Sequence, residues 1–247
     1  MRLVHDVYER SIPLADFLKL DEEQAIQFDF LTQGPEADRC SLINEVYRRV
    51  FPWFDGKLDA GDTLSTYRTA IRVFYGHNYR SLDRKRQREI LTIVQKYTPR
   101  GERQVFEVER IDKHGRPYYQ ICNNYQLGNF GIMPIRDGIN PKRARSPYFD
   151  FFDKYLELVN AFYADQLTAA DGLPEAIQKQ RMYFENFHDM DNFVDMNMLT
   201  DFFENNGSSY EVIPLSKMRS FEEYVRAVTK IISLRGRHLW HKLQTVN

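Results

Sequence analysis

Between residues 103 and 146 the periodicity of the chain changes, and this change limits the fold more than any other feature of the sequence. On either side of it, apolar residues recur at the three-to-four spacing of amphipathic helices. Ile43, Val46, Tyr47 and Val50 form such a stripe in a segment from about Glu36 to Val50, which Pro52 and Gly56 end. Leu64, Tyr67, Ile71 and Phe74 form a second, with Asp62 as its expected cap, Arg68 and Arg72 four apart on a neighbouring face, and Gly76 as its stop. A third helix is expected after Ser81, its capping candidate. Its first half is charged (Asp83, Arg84, Lys85, Arg86, Arg88, Glu89) and its second half apolar through Ile90, Leu91, Val94 and Tyr97.

In the middle region the run Gln104 to Ile111 is rich in strand formers, Asp112-Lys113-His114-Gly115 carries turn residues, and Tyr118 to Ile121 resumes strand composition. A β-hairpin is predicted there. A third short strand is predicted over Asn129 to Ile135, with Pro134 placing it at an edge or strand end. Ser146-Pro147 then opens a helix with Phe152, Tyr155, Val159 and Phe162 on one face. Further helices follow at Pro174 (Ile177, Met182, Phe184, Phe187) and over Phe193 to Phe203, with a late strand at Tyr210 to Ile213. A last helix starts near Ser220, and Gly236 is expected to weaken its tail. No repeat or linker interrupts the chain. The predicted class is α+β, mostly α: a single domain over 1–247, helical over 1–100 and 147–247, with a small antiparallel β-sheet and loop region at 103–146.

Composition narrows the class of protein. In 247 residues, a hydrophobic share of 43% supplies a core and argues against intrinsic disorder. No run approaches the roughly 18 consecutive apolar residues of a membrane span, and the first ten residues lack the apolar centre of a signal peptide. Cys40 and Cys122 form neither a metal knuckle nor a disulfide framework, so both read as reduced thiols and the expected location is cytoplasmic, with no membrane partner. The formal charge of −1 conceals blocks. Residues 1–40 carry four basic and nine acidic groups, 66–103 ten and three, 182–211 none and seven, and 212–247 seven and two. Either the blocks neutralise one another or form solvated faces, or a basic block meets an anion such as nucleic acid or a nucleotide.

The most distinctive stretch runs from Tyr125 through Leu127-Gly128-Asn129-Phe130-Gly131 to Pro134, then Gly138-Ile139-Asn140-Pro141-Lys142-Arg143-Ala144-Arg145. Glycines permit close backbone approach, and Lys142, Arg143 and Arg145 bring three positive charges just ahead of a helix. Such a loop suits an anionic ligand, with Asn129, Asn140, Lys142, Arg143 and Arg145 as ligand-binding candidates, although its spacing is neither that of a Walker loop nor that of a dinucleotide fingerprint. The competing structural reading has Asn129 and Asn140 tying down loop backbone and the arginines pairing with acids.

This stretch, with Ile139-Asn140, Arg143-Ala144, Phe149-Asp150-Phe151-Phe152-Asp153 and the aromatic helix to Phe162-Tyr163, resembles a group of uncharacterised bacterial proteins. In that group a Gly-Asn or Gly-Gly strand ending in Pro leads to an Ile-Asn, an Arg-Gly or Arg-Ala, and a helix opening with Asp. The likeness covers about 125 to 204; Ala144 stands where Gly is common. It implies a bacterial or phage origin and a shared fold, and no reaction. Gly128-Asn129-Phe130 with Asn140 eleven residues after Asn129 is also similar to His-Asn-His nuclease-like domains, which would make His114, Asn129 and Asn140 the catalytic set of a metal-dependent phosphodiesterase or nuclease. The Asp-His or Glu-His pair usual in those domains is absent here. Under that alternative alone a divalent metal would be required; otherwise no cofactor is expected.

The remaining motifs carry less. Glu185-Asn186-Phe187-His188 matches one half of a di-iron site, but the chain has no second Glu-x-x-His to complete it. His188, Asp191 and Asp195 share a helical side that a divalent ion could use, while His238 and His241 sit among Arg235, Arg237 and Lys242, which repel a cation. There is no nucleophile elbow and no recognisable catalytic cysteine. The expected function is therefore a binding or interaction module for an anionic ligand. The nuclease is one alternative, and a structural protein that oligomerises through exposed aromatics is another.

Overall fold

The computed structural model describes residues 12–28, 30, 41–54, 59–97, 108–111, 117–120, 126–134, 139, 142–143, 150–168, 171–205 and 210–246. Their order is α1 (Leu14–Phe17), α2 (Glu22–Ile26), α3 (Ser41–Val50), β1 (Asp59–Thr63), α4 (Tyr67–Tyr75), α5 (Arg84–Tyr97), β2 (Val108–Ile111), β3 (Pro117–Gln120) and β4 (Phe130–Met133). There follow α6 (Phe152–Tyr163), α7 (Leu173–Lys179), α8 (Arg181–Glu185), α9 (Met190–Met196), β5 (Phe203–Asn205), β6 (Tyr210–Val212) and α10 (Phe221–Thr245). The fold is mostly α with a little β, as the periodicity predicts.

Several helix ends follow directly from sequence. The Asp21 carboxylate accepts from the Gln24 amide while the Gln24 side chain accepts from the Asp21 amide, a reciprocal cap on α2. Gly76 ends α4 in the left-handed conformation at φ 74°, as expected of a C-terminal glycine. Ser220 caps α10 through the Glu223 amide. Two expected caps move. Thr66, not Asp62, caps α4, and the Asp83 carboxylate, not Ser81, accepts the Arg86 amide at 2.9 Å at the start of α5. Ser81 lies in a short 3-10 turn, Tyr79–Ser81.

The strands pair differently from a single central sheet. The predicted hairpin is present as β2–β3, with Val108 opposite Gln120 and Ile111 opposite Pro117. The predicted third strand, β4, instead pairs antiparallel with β1, placing Thr63 opposite Phe130 and Asp62 opposite Gly131. Asp59-Ala60-Gly61-Asp62-Thr63 has no strand-forming pattern, so its pairing partner, not local propensity, makes it a strand. Phe203, assigned by its helical neighbours to a helix end, starts β5 and pairs with Val212 of β6.

β4 and α10 each serve two hydrophobic clusters. Phe130 and Ile132 join Phe17, Phe30, Ile43, Tyr47, Val50 and Phe51 around Leu239, Trp240 and Leu243 of α10. Met133, on the other face of β4, joins the larger cluster, which contains Leu64, Tyr67, Ile71, Phe152, Leu156, Phe184 and the earlier half of α10 from Phe221 to Ile232. The alternation of a strand thus places one residue set in each cluster. α10 does not end at Gly236 but runs 25 residues to Thr245, about 37 Å at helical rise. Gly236 lies where the 3-10 turn Leu127–Asn129 crosses the helix, and its close neighbour there is Gly128.

Candidate functional site

The distinctive stretch closes on one short piece of backbone, Leu64 to Thr69. Asn129 is fully buried: its amide nitrogen donates to the Ser65 carbonyl at 3.0 Å, its amide oxygen accepts from the Ser65 N–H at 3.0 Å, and its own carbonyl accepts from the Leu64 N–H at 2.7 Å. Arg143 is fully buried as well. One of its terminal nitrogens donates to the Leu64 carbonyl at 2.9 Å and the Asp150 carbonyl at 3.3 Å, and its guanidinium lies 5.7 Å and 5.6 Å from the ring centroids of Phe152 and Tyr155. Both side chains thus occupy the fold's own carbonyls and amides. The structural reading of Asn129 matches this geometry. Arg143 binds carbonyls and rings where that reading expected acids.

The acids of the resembling motif do similar work. Asp150 accepts from the hydroxyls of Thr66 and Thr69, fastening the start of α4 to the segment that leads into α6. Asp153 is fully buried, and one of its oxygens accepts from the Ser216 amide at 3.0 Å and hydroxyl at 2.6 Å. Burial raises the Asp153 pKa above its ordinary value, only partly opposed by the two Ser216 hydrogen bonds and by Lys154. A carboxyl raised in the folded state favours folding fully below its unfolded pKa, and that contribution fades as pH rises through the folded pKa. Asp153→Asn, which retains an acceptor for Ser216, is therefore expected to gain stability relative to wild type between pH 4 and pH 7. Thermal melts at the two pH values check this; a pH-independent difference would contradict it.

Of the other expected ligand residues, Lys142 is half-buried, 4.0 Å from Glu175, and the positive charges of Lys179 and, more weakly, Lys142 hold that carboxyl below its usual range. Asn140 and Arg145 lie outside the described residues, as do His114, Cys40, Cys122 and the Ser146-Pro147 helix start. Of the nuclease set, then, only Asn129 is placed, with its amide group engaged on Ser65. Among the described residues no group of three or more His, Cys, Asp or Glu side chains is disposed to hold a metal ion. His238 pairs with Asp201 at 2.9 Å and His241 with Glu22 at 2.7 Å, so the two histidines engage separate acids. The exposed large apolar residues among those described are Val73, Met182, Met196 and Val246, none of them aromatic. Among the described residues no helix is long and apolar enough to cross a membrane.

The charge blocks are not neutralised equally. Glu22 of the acidic 1–40 block meets Arg237 and His241 of α10, and Asp201 of the acidic 182–211 block meets His238. Arg235 of the same helix is buried on backbone carbonyls. The 66–103 block reaches a distant acid through Lys96, which pairs with Glu222 at 2.7 Å. At the other end of α5, Asp83 serves as the cap and lies 3.8 Å from Arg86, and Glu89 accepts from the Tyr75 hydroxyl at 3.3 Å. Arg84, Lys85 and Arg88 are exposed and, among the described residues, have no carboxylate within ion-pair distance. Spacings of three and four put them on one face. Arg68 and Arg72, one turn apart on α4, likewise have no acid partner among the described residues. The first turn of α5 contains no acid, so its cations add to the positive end of the helix dipole instead of offsetting it.

Fold and site together define a mostly α protein with a little β, whose most distinctive sequence secures its interior and whose α5 carries an open basic face. Residues 25–239 match a family of unknown function, DUF6994, and the chain belongs to that family. No curated protein and no solved structure matches it.

Proposed function

We propose that the protein is a binding module for an anionic polymer, a nucleic acid, and that the amino-terminal half of α5 makes the contact. The observation that carries this reading is the set Arg84, Lys85 and Arg88, exposed on one helical face with no carboxylate within ion-pair distance among the described residues. Cations in the first turn of a helix oppose its dipole and cost roughly 0.3–1 kcal/mol each. Stability alone would favour acids at those positions. What the arrangement provides is a concentrated positive potential, which attracts phosphates. The charges spread along an exposed helix, which suits a chain of phosphodiesters better than a single nucleotide. A bacterial protein of the cytoplasm, where nucleic acid is at hand and thiols stay reduced, belongs to the same reading.

Binding of a labelled single-stranded oligonucleotide at low salt tests it. Reversing the three charges (R84E, K85E and R88E together) is expected to weaken binding by at least about 10-fold. Unchanged affinity in a variant that still folds would refute the assignment.

A further inference from the structure

On the side of the molecule formed by the end of α6 and by α8, the structure holds a half-open cavity of about 440 Å³. That volume lies in the roughly 300–1,000 Å³ range of small-molecule sites. Two aromatic residues are part of its lining. Phe162 and Tyr163 meet with ring centroids 5.3 Å apart and planes at 77°, so the two rings form a corner. The Tyr163 hydroxyl donates to the Phe184 carbonyl at 2.8 Å, and both half-buried rings also pack on Phe184 while lining the cavity.

The remaining wall is charged, and its balance is negative. Arg181 donates to the Glu185 carboxylate at 2.6 Å, and Glu185 first, then Asp165, holds the guanidinium pKa above its ordinary value. The single arginine of the wall is thus shared between two carboxylates that both line the cavity. Asp189, just beyond, adds its charge to the burial that raises the Tyr163 hydroxyl. His188 completes the rim.

Backbone geometry adds a further observation. After α6, the Gln166 amide donates to the Ala161 carbonyl at 2.8 Å and the Asp165 amide to the Phe162 carbonyl at 3.1 Å. This is the hydrogen-bond pattern in which glycine is usual at the left-handed position. Here that position is Asp165, at φ 54°, and His188 is left-handed too, at φ 67°. Two of the three non-glycine residues with positive φ among the described residues are therefore in the cavity wall. Asp is among the few types other than glycine that tolerate this backbone, and here its carboxylate lines the cavity.

We propose that this cavity binds a small organic cation of the alkylammonium class, its charge set against the faces of Phe162 and Tyr163 and balanced by Asp165 and Glu185. Ring faces attract a desolvated ammonium, and the negative balance of the wall excludes carboxylates and phosphates. The site is separate from the basic face of α5 and would stand if that face bound nothing.

Calorimetric titration with choline, beside its uncharged isostere 3,3-dimethyl-1-butanol, tests the proposal. Choline is expected to bind saturably and the isostere at least about 10-fold more weakly. Asp165→Asn keeps a residue tolerant of the left-handed backbone, and Phe162→Leu keeps the apolar bulk. Each is expected to weaken choline binding by about 3- to 10-fold, Asp165→Asn with an unchanged melting temperature and Phe162→Leu in a protein that still melts cooperatively after losing its ring contact with Phe184. Absence of saturable choline binding, equal affinity for the isostere, or undiminished binding in both variants would overturn the proposal.

Discussion

Replacing Gly128 by alanine is expected to destabilise the protein by about 3 kcal/mol or more, read as a shift of the urea midpoint. A β-carbon at this position would stand 1.9 Å from the Ile232 carbonyl oxygen and 2.7 Å from the Gly236 amide nitrogen, both backbone atoms of α10. No side chain can rotate to make room. The turn would have to lift from the helix, and the Gly128 carbonyl would move with it, away from Arg235. Gly236, its partner in the crossing, should behave oppositely. A β-carbon there lies 3.5 Å from the Gly128 amide nitrogen and from Ile26, ordinary contact distances. Gly236→Ala is therefore expected to be neutral or to stabilise by up to about 1 kcal/mol, the helix-propensity difference. Equal losses in the two variants would contradict the described crossing.

The second large effect is expected at Arg235, which is buried within α10. Its Nε donates to the Met198 carbonyl at 2.8 Å, one terminal nitrogen to the carbonyls of Gly128 and Phe130, and the other to the Asn197 carbonyl at 3.0 Å. The planar fork thereby joins α10, the start of β4 and the end of α9. Met198 is itself left-handed, at φ 53°, and the Arg235 bond to its carbonyl helps to hold that conformation. Arg235→Met fills the space and leaves the Gly128, Asn197 and Met198 carbonyls without this donor, while the Phe130 carbonyl keeps the Tyr47 hydroxyl, and each unsatisfied buried group costs about 1–3 kcal/mol. The expected loss is about 4 kcal/mol or more, a large share of an ordinary domain's stability. Arg235→Lys should recover less than half of it, because an ammonium cannot reproduce the fork. A loss below about 1 kcal/mol for Arg235→Met would show that these hydrogen bonds do not hold the elements together.

These two positions also show where the sequence stops being informative. Period and punctuation carry the helices, and Gly76 and Ser220 have the cap roles their residue types suggest. The strand composition around Val108 and Tyr118 carries the hairpin. β1 is invisible because Asp59 to Thr63 has no alternation, and only pairing with β4 makes it a strand. Gly236 reads as a weak point of a helix tail, since nothing local reveals that Gly128, 108 positions earlier, packs against it. Asn129 and Arg143 have the residue types of either an anion loop or a backbone tie, and spacing alone does not separate the two. Their partners decide: each reaches the Leu64–Ser65 backbone, more than sixty residues away in sequence. Glu185 and His188 stand out as a motif, but the aromatic corner they face comes from Phe162 and Tyr163, which in sequence are part of a core stripe.

The charge pattern yields its meaning only with the fold in hand. Blocks of opposite sign cancel in the count, and in space Glu22 and Asp201 indeed meet α10. Arg84, Lys85 and Arg88 have no carboxylate within ion-pair distance among the described residues. The most direct test of the central claim, that α5 and not the 138–145 loop faces the anionic partner, is the log–log slope of oligonucleotide affinity against salt. Each phosphate contact contributes roughly 0.7 to this slope for a single strand. Replacing Arg84, Lys85 and Arg88 together by alanine is predicted to reduce the slope by about 2, while Lys142→Ala leaves it unchanged. An unchanged slope for the α5 variant with a reduced one for Lys142→Ala would contradict the claim and return the contact to the loop.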